Sequence, residues 1–406
     1  MAAVGGLPAQ TARGARELLA RRLAAQWVEP ARPASTCSGI VDVVQHLLAL
    51  QAQDFAQSCW ALGARTPGST VADVDAAYDS GAIVRSWPLR GTLHVTTPDD
   101  LRLMLALTAT KTVRGMGARH RQLELDADTF ARARDIARVE LAGGAAASRE
   151  EFLAQLAAGG VDVAGQRGMH LIWWLAHDGL VCWGPRRGTQ QALVLLDEWA
   201  PPARELDLEH DGARARALGE LLLRYAVGRG AVTVDDFCWW SKLTKGEASA
   251  GLAAARDRLV ELEIDGQRVF APLDSAAPPP PPAGQHALPG FDEYLLGYRN
   301  RSPALPERFA ERIVPGGNGI FLPLLVSRGS IVGTWSRRVG ARSVSLTMTP
   351  FTSLSAAVAR GLGRDLRRYA AFLGLPASIT IAEPEPQAEP TPGPTPEQRP
   401  VPEPAP

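Results

Sequence analysis

The sequence predicts an α+β fold in which small helical clusters each close in a two-stranded β-ribbon, ahead of a β-rich C-terminal region. Three observations predict it. Helical spacing of apolar residues gives way to strand-like alternation three times in succession, at about residues 13–97, 127–200 and 211–275. The third cycle holds Asp265-Gly266 between two alternating runs, a strong hairpin signal. Five consecutive prolines, at 278–282, then mark a change of character. Beyond them, short strand-like runs replace the long helical ones.

Residues 1–12 read as a loose leader. Leu18, Leu19, Leu23 and Trp27 fall at helical spacing in 13–28, and Pro30 and Pro33 end that helix. Ser35 or Ser38 is placed to cap the next one, which runs over 41–50 to the stretch Leu50-Gln51-Ala52-Gln53-Asp54. Helical spacing resumes over 53–65 and again over 72–79. Residues 82–87 and 89–96 then alternate as a ribbon around Arg90-Gly91. Pro98-Asp99-Asp100 opens a further helix, with Pro near its first position and acids at its positive end. It leads into a basic linker that closes by residue 126.

Helices follow over 127–141, from the Ser148-x-x-Glu151 capping box, and over 165–177. Residues 180–183 and 191–196 form strands around a turn at Gly184-Pro185-Arg186-Arg187-Gly188. Residues 213–228, a short helix starting at Thr233, and 245–259 capped by Thr244 supply the third helical set. Trp173-Trp174 and Trp239-Trp240 fit base stacking, but their helical spacing favours the core. The proline run makes 276–287 a stiff spacer. Strands at 319–326, 330–337 and 343–348 and a closing helix over 353–372 make 288–375 a small β-rich domain. Residues 383–406 hold ten prolines in 24 positions and read as disordered.

Composition narrows the function. The apolar fraction is 46% and the charged fraction 21%, and no long uncharged apolar run suits a membrane span. The N-terminus lacks secretory-signal character, and Cys37, Cys59, Cys182 and Cys238 are scattered without a CxxC pair. A bacterial cytoplasm and no metal site are the expectation. Net charge is zero, but the tail from Glu383 carries five Glu and one Arg, −4, which leaves +4 on the body. Phosphate-binding loops, dinucleotide fingerprints, zinc-protease and serine-hydrolase motifs are all missing, so no cofactor is expected.

Gln51-Ala52-Gln53, read with Arg90-Gly91-Thr92-Leu93-His94, Phe291-Asp292-Glu293-Tyr294 and Gly333-Thr334-Trp335, resembles the tandem winged-helix family, in its AlkZ-like DNA glycosylase branch. The resemblance covers about residues 13–375. It implies three tandem winged helix-turn-helix units and double-stranded DNA with alkylated purines as the partner, bound by a monomer. The implied reaction is hydrolysis of the N-glycosidic bond, with crosslink unhooking as an extension. It also implies Gln51 and Gln53 as catalytic residues, and Arg85, Arg90, Thr92, His94, Asp292, Tyr294 and Arg299 as DNA or lesion contacts.

The residues themselves leave alternatives open. A glutamine carbonyl accepts a bond from water while its amide donates, but it is no strong base, which suits a leaving group that is already cationic. A glutamine pair also suits a plain helix end. Asp54 fits water activation or a helix cap; His94 fits a phosphate contact or a structural role; Arg85 and Arg90 fit a DNA backbone or a solvated face. A non-enzymatic winged-helix DNA-binding protein or regulator is the competing reading. Helical geometry turns residues i and i+2 apart, so the glutamines are expected at a helix terminus or irregular turn.

Overall fold

A computed structural model of the chain describes residues 12–29, 39–203, 206, 208, 210 and 212–384. The leader up to residue 11, Pro30, Pro33, Ser35, Cys37, Ser38 and the tail from 385 lie outside the described residues.

Helices α1 (Ala12–Ala25) and α2 (Ile40–Leu47) open the chain. In α2, Ile40, Val43, Val44 and Leu47 form one buried stripe. Leu48 then takes a φ of 64° and ends the helix, so the expected run to residue 50 is too long. Residues Ala49–Gln51 form strand β1, and α3 (Phe55–Gly63) begins only after Asp54, whose side chain accepts from the Gln57 amide at 3.0 Å. Helix α4 (Val71–Asp79) starts from a Thr70/Asp73 capping box. Strands β2 (Val84–Leu89) and β3 (Thr92–Thr96) follow, joined by Arg90 and Gly91, both at positive φ. Two such residues in succession make the tight turn that matches strand twist.

Helices α5 (Pro98–Gly115), α6 (Gly117–Gln122), α7 (Ala127–Glu140), α8 (Arg149–Ala158) and α9 (Arg167–His177) come next. Pro98 and the Ser148/Glu151 box hold the helix-starting positions read from the sequence. Strand β4 (Val181–Arg187) continues through Gly184-Pro185-Arg186-Arg187, which the sequence reading gives to a turn. A register shift between Trp183 and Arg186 accommodates the proline, and the chain reverses at Gly188 before β5 (Gln190–Leu195). Helices α10 (Leu196–Trp199), α11 (Ala213–Arg229), α12 (Val234–Ser241) and α13 (Lys245–Ala254) lead to the hairpin of β6 (Leu259–Ile264) and β7 (Gln267–Pro272). The hairpin turns at Asp265-Gly266 as expected, whereas α13 is shorter than the predicted 245–259.

The remainder comprises β8 (Gln285–Leu288), α14 (Glu293–Leu296), α15 (Ala310–Ile313), β9 (Leu324–Ser327), β10 (Ser330–Val339), β11 (Val344–Pro350), α16 (Ala356–Phe372) and β12 (Ala377–Ile381). The fold is a mixed α+β one. Sheet order is β1-β3-β2-β4-β5 in the first sheet and β12-β11-β10-β9-β8 in the second, with β6-β7 apart. All pairings are antiparallel except β11 with β12. The first two ribbons are therefore one sheet, joined where Arg85 faces Trp183.

The proline run lies outside any regular element, but it is no spacer between separate cores. Arg21 of α1 donates to the carbonyls of Ser275 (2.7 Å) and Ala276 (3.0 Å), and Glu29 accepts from the Ala283 and Gly284 amides. One apolar cluster spans α1–α4, the second sheet and α16. In it the Trp60 and Trp335 indoles donate to the carbonyls of Ala287 and Leu288, each at 2.8 Å.

The deepest tie across this junction is ionic. Arg65, after α3, grips Asp292 with two bonds of 2.9 and 2.8 Å, and both side chains are fully buried. Its remaining donors reach Gln26 and the Ala61 carbonyl. Asp292 also accepts from the Tyr294 amide, starting α14. Removing one partner strands the other charge in the interior. Asp292→Ala is expected to lower unfolding stability by about 3–5 kcal/mol, read from the urea midpoint; an unchanged midpoint would overturn that assignment.

Candidate active site

Both glutamines sit on the short segment between α2 and α3. Gln51 ends strand β1 and Gln53 lies two residues on in a bend, so the pair stands at an irregular turn just past a helix end, as the sequence reading expects. Gln51 is half-buried and pairs across the strand with His94; Gln53 is exposed. Strand β3 holds the segment in register, because the Ala52 backbone N–H donates to the Leu93 carbonyl at 2.7 Å. The Leu93 amide in turn donates to Gln53 Oε1 at 3.3 Å. Gln51 Oε1 accepts from Arg90 Nη2 at 3.2 Å. Each amide is thus tethered through its carbonyl oxygen, which keeps a second lone pair for another donor.

Arg90 is the hub. The same Nη2 lies 3.1 Å from His94 Nε2, and Nη1 donates to the Leu296 carbonyl at 3.3 Å. Arginine only donates, so His94 Nε2 is the acceptor and Nδ1 carries the proton, given to the Thr92 carbonyl at 2.9 Å. Complete burial, reinforced by the Arg90 charge, drives the His94 pKa down to about 3 and keeps the ring neutral.

Behind Arg90 stands Glu293, fully buried, with Oε1 4.0 Å from Arg90 and accepting from the Gln51 amide N–H at 3.1 Å. Its Oε2 takes Arg229 at 2.6 Å and the Trp240 indole at 3.0 Å. Burial alone would raise the Glu293 carboxyl, but the Arg229 and Arg90 guanidiniums outweigh it and hold the group below its ordinary value. Arg229 does not stand out in the sequence, and Glu293 lies in a stretch that carries the resemblance but is given no role there. The signal for Glu293 is a lone charge pair inside an apolar run; its partner lies 64 residues away.

The other residues singled out from the sequence are distributed unevenly. Arg85, buried, donates to the Ala52 carbonyl at 2.8 Å and reaches the Gln53 carbonyl at 3.4 Å, so it props the backbone of the pair rather than facing solvent. Thr92 bonds the Leu89 carbonyl across the turn. Asp292 and Tyr294 are not at the surface, where the expected DNA or lesion contacts would lie. Both are buried, Asp292 on Arg65 and Tyr294 with its hydroxyl on the Gly329 carbonyl. Arg299 is exposed and paired with Asp235 at 2.7 Å, away from the glutamines' partners. Asp54 caps α3, with its second oxygen 3.8 Å from Arg337.

A cleft of about 660 Å³ adjoins this cluster through Arg90 and Gly91. Among the described residues, no group of three or more His, Cys, Asp or Glu is placed to hold a metal ion, and no helix is long and apolar enough to cross a membrane.

The profile of the AlkZ-like DNA glycosylases matches residues 44–372, from α2 through α16. The chain belongs to the AlkZ-like DNA glycosylase family. An interstrand DNA cross-link repair glycosylase of Streptomyces sahachiroi is 24% identical over 356 residues, which is 83% of this chain and 90% of that relative. The solved structure of the Streptomyces sahachiroi DNA glycosylase AlkZ has the same fold, with a TM-score of 0.73 at 22% identity, covering 92% of this chain and 100% of that one. The family profile begins at the buried stripe of α2 and so takes in the whole Gln51–Arg90–Glu293 cluster.

The pKa shifts fix the sign of a pH response. A carboxylate held below its ordinary value, here Glu293, contributes stability above about 4.5 that is lost as pH falls through the lowered value. His94, lowered to about 3, and His46 and His177, each lowered to about 4, resist protonation in the fold and so weaken it progressively below pH 6.5. Glu293→Gln is expected to unfold more readily than wild type at pH 7, with the gap narrowing below pH 4.5. Thermal unfolding at pH 7, 5.5 and 4 checks this, and a gap independent of pH would refute it.

Proposed function

We propose that this chain hydrolyses the N-glycosidic bond of N7-alkylated purines in double-stranded DNA, as a monomer in the bacterial cytoplasm, and that interstrand crosslinks are among its substrates. The crosslink reading extends to this chain what the name of its Streptomyces sahachiroi relative describes. The helix-then-hairpin segments at 13–97, 127–200 and 211–275 are read as tandem winged helices that grip the duplex, with the domain limits drawn from the sequence.

One observation carries the catalytic assignment. Gln51 and Gln53, one residue apart, present two neutral amides, each anchored by its carbonyl oxygen to a donor on the β2–β3 hairpin. In the proposed step a water bonded to the spare lone pairs attacks the sugar C1′ as the C1′–N9 bond breaks. The alkylated purine, cationic in the substrate, leaves neutral, and the water's proton passes to solvent. Gln51 and Gln53 orient and polarise that water. Arg90 and His94 position Gln51, while Arg85 and Thr92 hold the backbone that carries the pair. Asp292, Tyr294 and Arg299 serve the fold rather than the lesion.

Incubating the protein with a duplex containing one N7-methylguanine, then cleaving abasic sites with mild base, tests the reading directly. Gln51→Ala and Gln53→Ala are each expected to slow single-turnover excision by roughly a hundred- to a thousandfold, the usual effect of losing one positioned hydrogen-bonding group. Duplex affinity should change little. Wild-type rates in both variants would remove the glutamines from catalysis; no excision by wild type, with tight binding of one undamaged sequence, would favour a non-enzymatic regulator.

A further inference from the structure

The cleft beside Arg90 is built differently from the rest of the surface. It is walled by Trp87, Trp173 and Met169 and rimmed by Arg90, Lys111 and Lys242, and no carboxylate lines it. Met169 is an exposed large apolar residue, at 38% exposure, and Trp173 is half-buried with its ring 3.8 Å from that of His177. Among the residues lining the cleft, His170 has a buried Nδ1 with no hydrogen-bond partner.

The basic residues of the rim are unusual in kind as well as number. The chain has 43 Lys and Arg, and only Lys111, Lys242 and Lys245 are lysines. Two of those three line this cleft. Both are held in place. Lys111 Nζ donates to the Lys242 carbonyl at 3.2 Å, and Lys242 Nζ lies 4.4 Å from the centre of the Trp239 ring. Neither lysine is in an ion pair among the described residues, whereas Lys245 is paired with Asp235.

A pocket of this size is in the range that encloses a small organic group, about 300–1,000 Å³. Aromatic and thioether walls select a planar, polarisable one. A neutral alkyl substituent on a base would satisfy those walls but leave the two ammonium groups of the rim without a counter-charge. A nucleotide satisfies both, stacking its base on the walls and bringing its phosphate to the rim.

We propose that this cleft binds a single unstacked nucleotide of DNA, with its base against Trp173 and Met169 and its phosphate on Lys111 and Lys242. Arg90, which reaches from the cleft to Gln51 at 3.2 Å, links an occupied cleft to the glutamine pair. The link to catalysis rests on the proposed glycosylase reading; nucleotide binding in the cleft does not. The nucleotide comes either from within a duplex or from a single-stranded end, and the two sources can be separated.

Binding by fluorescence anisotropy, at one fixed salt concentration, would compare a paired undamaged duplex, the same duplex with one bulged nucleotide, and a single-stranded pentanucleotide. None contains a lesion, so the result is independent of excision. Wild type is expected to prefer the bulged duplex over the paired one by about five- to a hundredfold, the effect of one base stacked on an aromatic group. Trp173→Ala and Lys242→Ala should erase that preference. Met169→Glu, at an exposed position that tolerates a polar side chain, places a carboxylate at the mouth and should erase it without disturbing the fold. Pentanucleotide binding that Met169→Glu abolishes, without a preference for the bulge, would support the site and assign it to strand ends. Equal affinity of wild type for paired and bulged duplex, with pentanucleotide binding absent or unaffected by Met169→Glu and Lys242→Ala, would overturn the proposal.

Discussion

The buried ion pair between Arg229 and Glu293 sets where the glutamines stand. Arg229, at the end of α11, donates to the Leu47 carbonyl at 2.6 Å and the Ala49 carbonyl at 2.8 Å, the two groups released where α2 gives way to β1. The same guanidinium meets Glu293, whose other oxygen accepts from the Gln51 amide. Both side chains are fully buried. A charge pair in such a place is tolerated only when most of its lone pairs and protons are met, and here the unwound backbone around Leu48 takes protons of both Arg229 Nη atoms, leaving Nε without a partner. The strain of a positive φ at Leu48 is thereby tied to a pair of charges that would otherwise be unsatisfied.

A second constraint is the pairing of this segment with β3. Residues 49–51 run beside β3, and the Ala52 amide and the Gln53 side chain continue the bonding to Leu93, so two glutamines one residue apart are held against the same strand. The hairpin adds the rest. Arg90 occupies a turn position at a φ of 58°, which a non-glycine residue adopts at some cost. Its side chain folds back over β3 to Gln51, His94 and Leu296 instead of extending into water. Several partners fix one long side chain, so the entropy lost in ordering it is shared among contacts that act together.

What was legible in the sequence was local. Ser148 with Glu151, Thr244 as a cap, Pro98 at a helix start and Asp265-Gly266 at a hairpin each depend on groups within a few residues, and each appears as read. The break after Leu47 was not legible, because the groups that receive its carbonyls lie about 180 residues on. Nor could five prolines reveal that Arg21 and Glu29 would clamp their flanks onto α1 and the turn that follows it, joining what composition divides. In the segment at 291–294 the sequence pointed to the right place and the wrong side chains: Glu293, between the two residues chosen, faces Arg229 and Gln51, while Asp292 turns to Arg65.

The electrostatics of the cluster also limit the chemistry that the proposed function can ask of it. His94 is held neutral far below neutral pH, its protonated Nδ1 on a carbonyl and its Nε2 facing a guanidinium. Glu293 is held as a carboxylate and spends its oxygens on Arg229, Trp240 and the Gln51 amide. Neither is poised to exchange a proton at pH 7, where general acid–base catalysis works best with groups titrating nearby. The glutamines do not titrate at all. A site so equipped can orient water and hold charge steady, but it has little means of protonating a poor leaving group. A purine made cationic by alkylation brings its own activation, and that is the substrate for which neutral, rigidly tethered amides suffice.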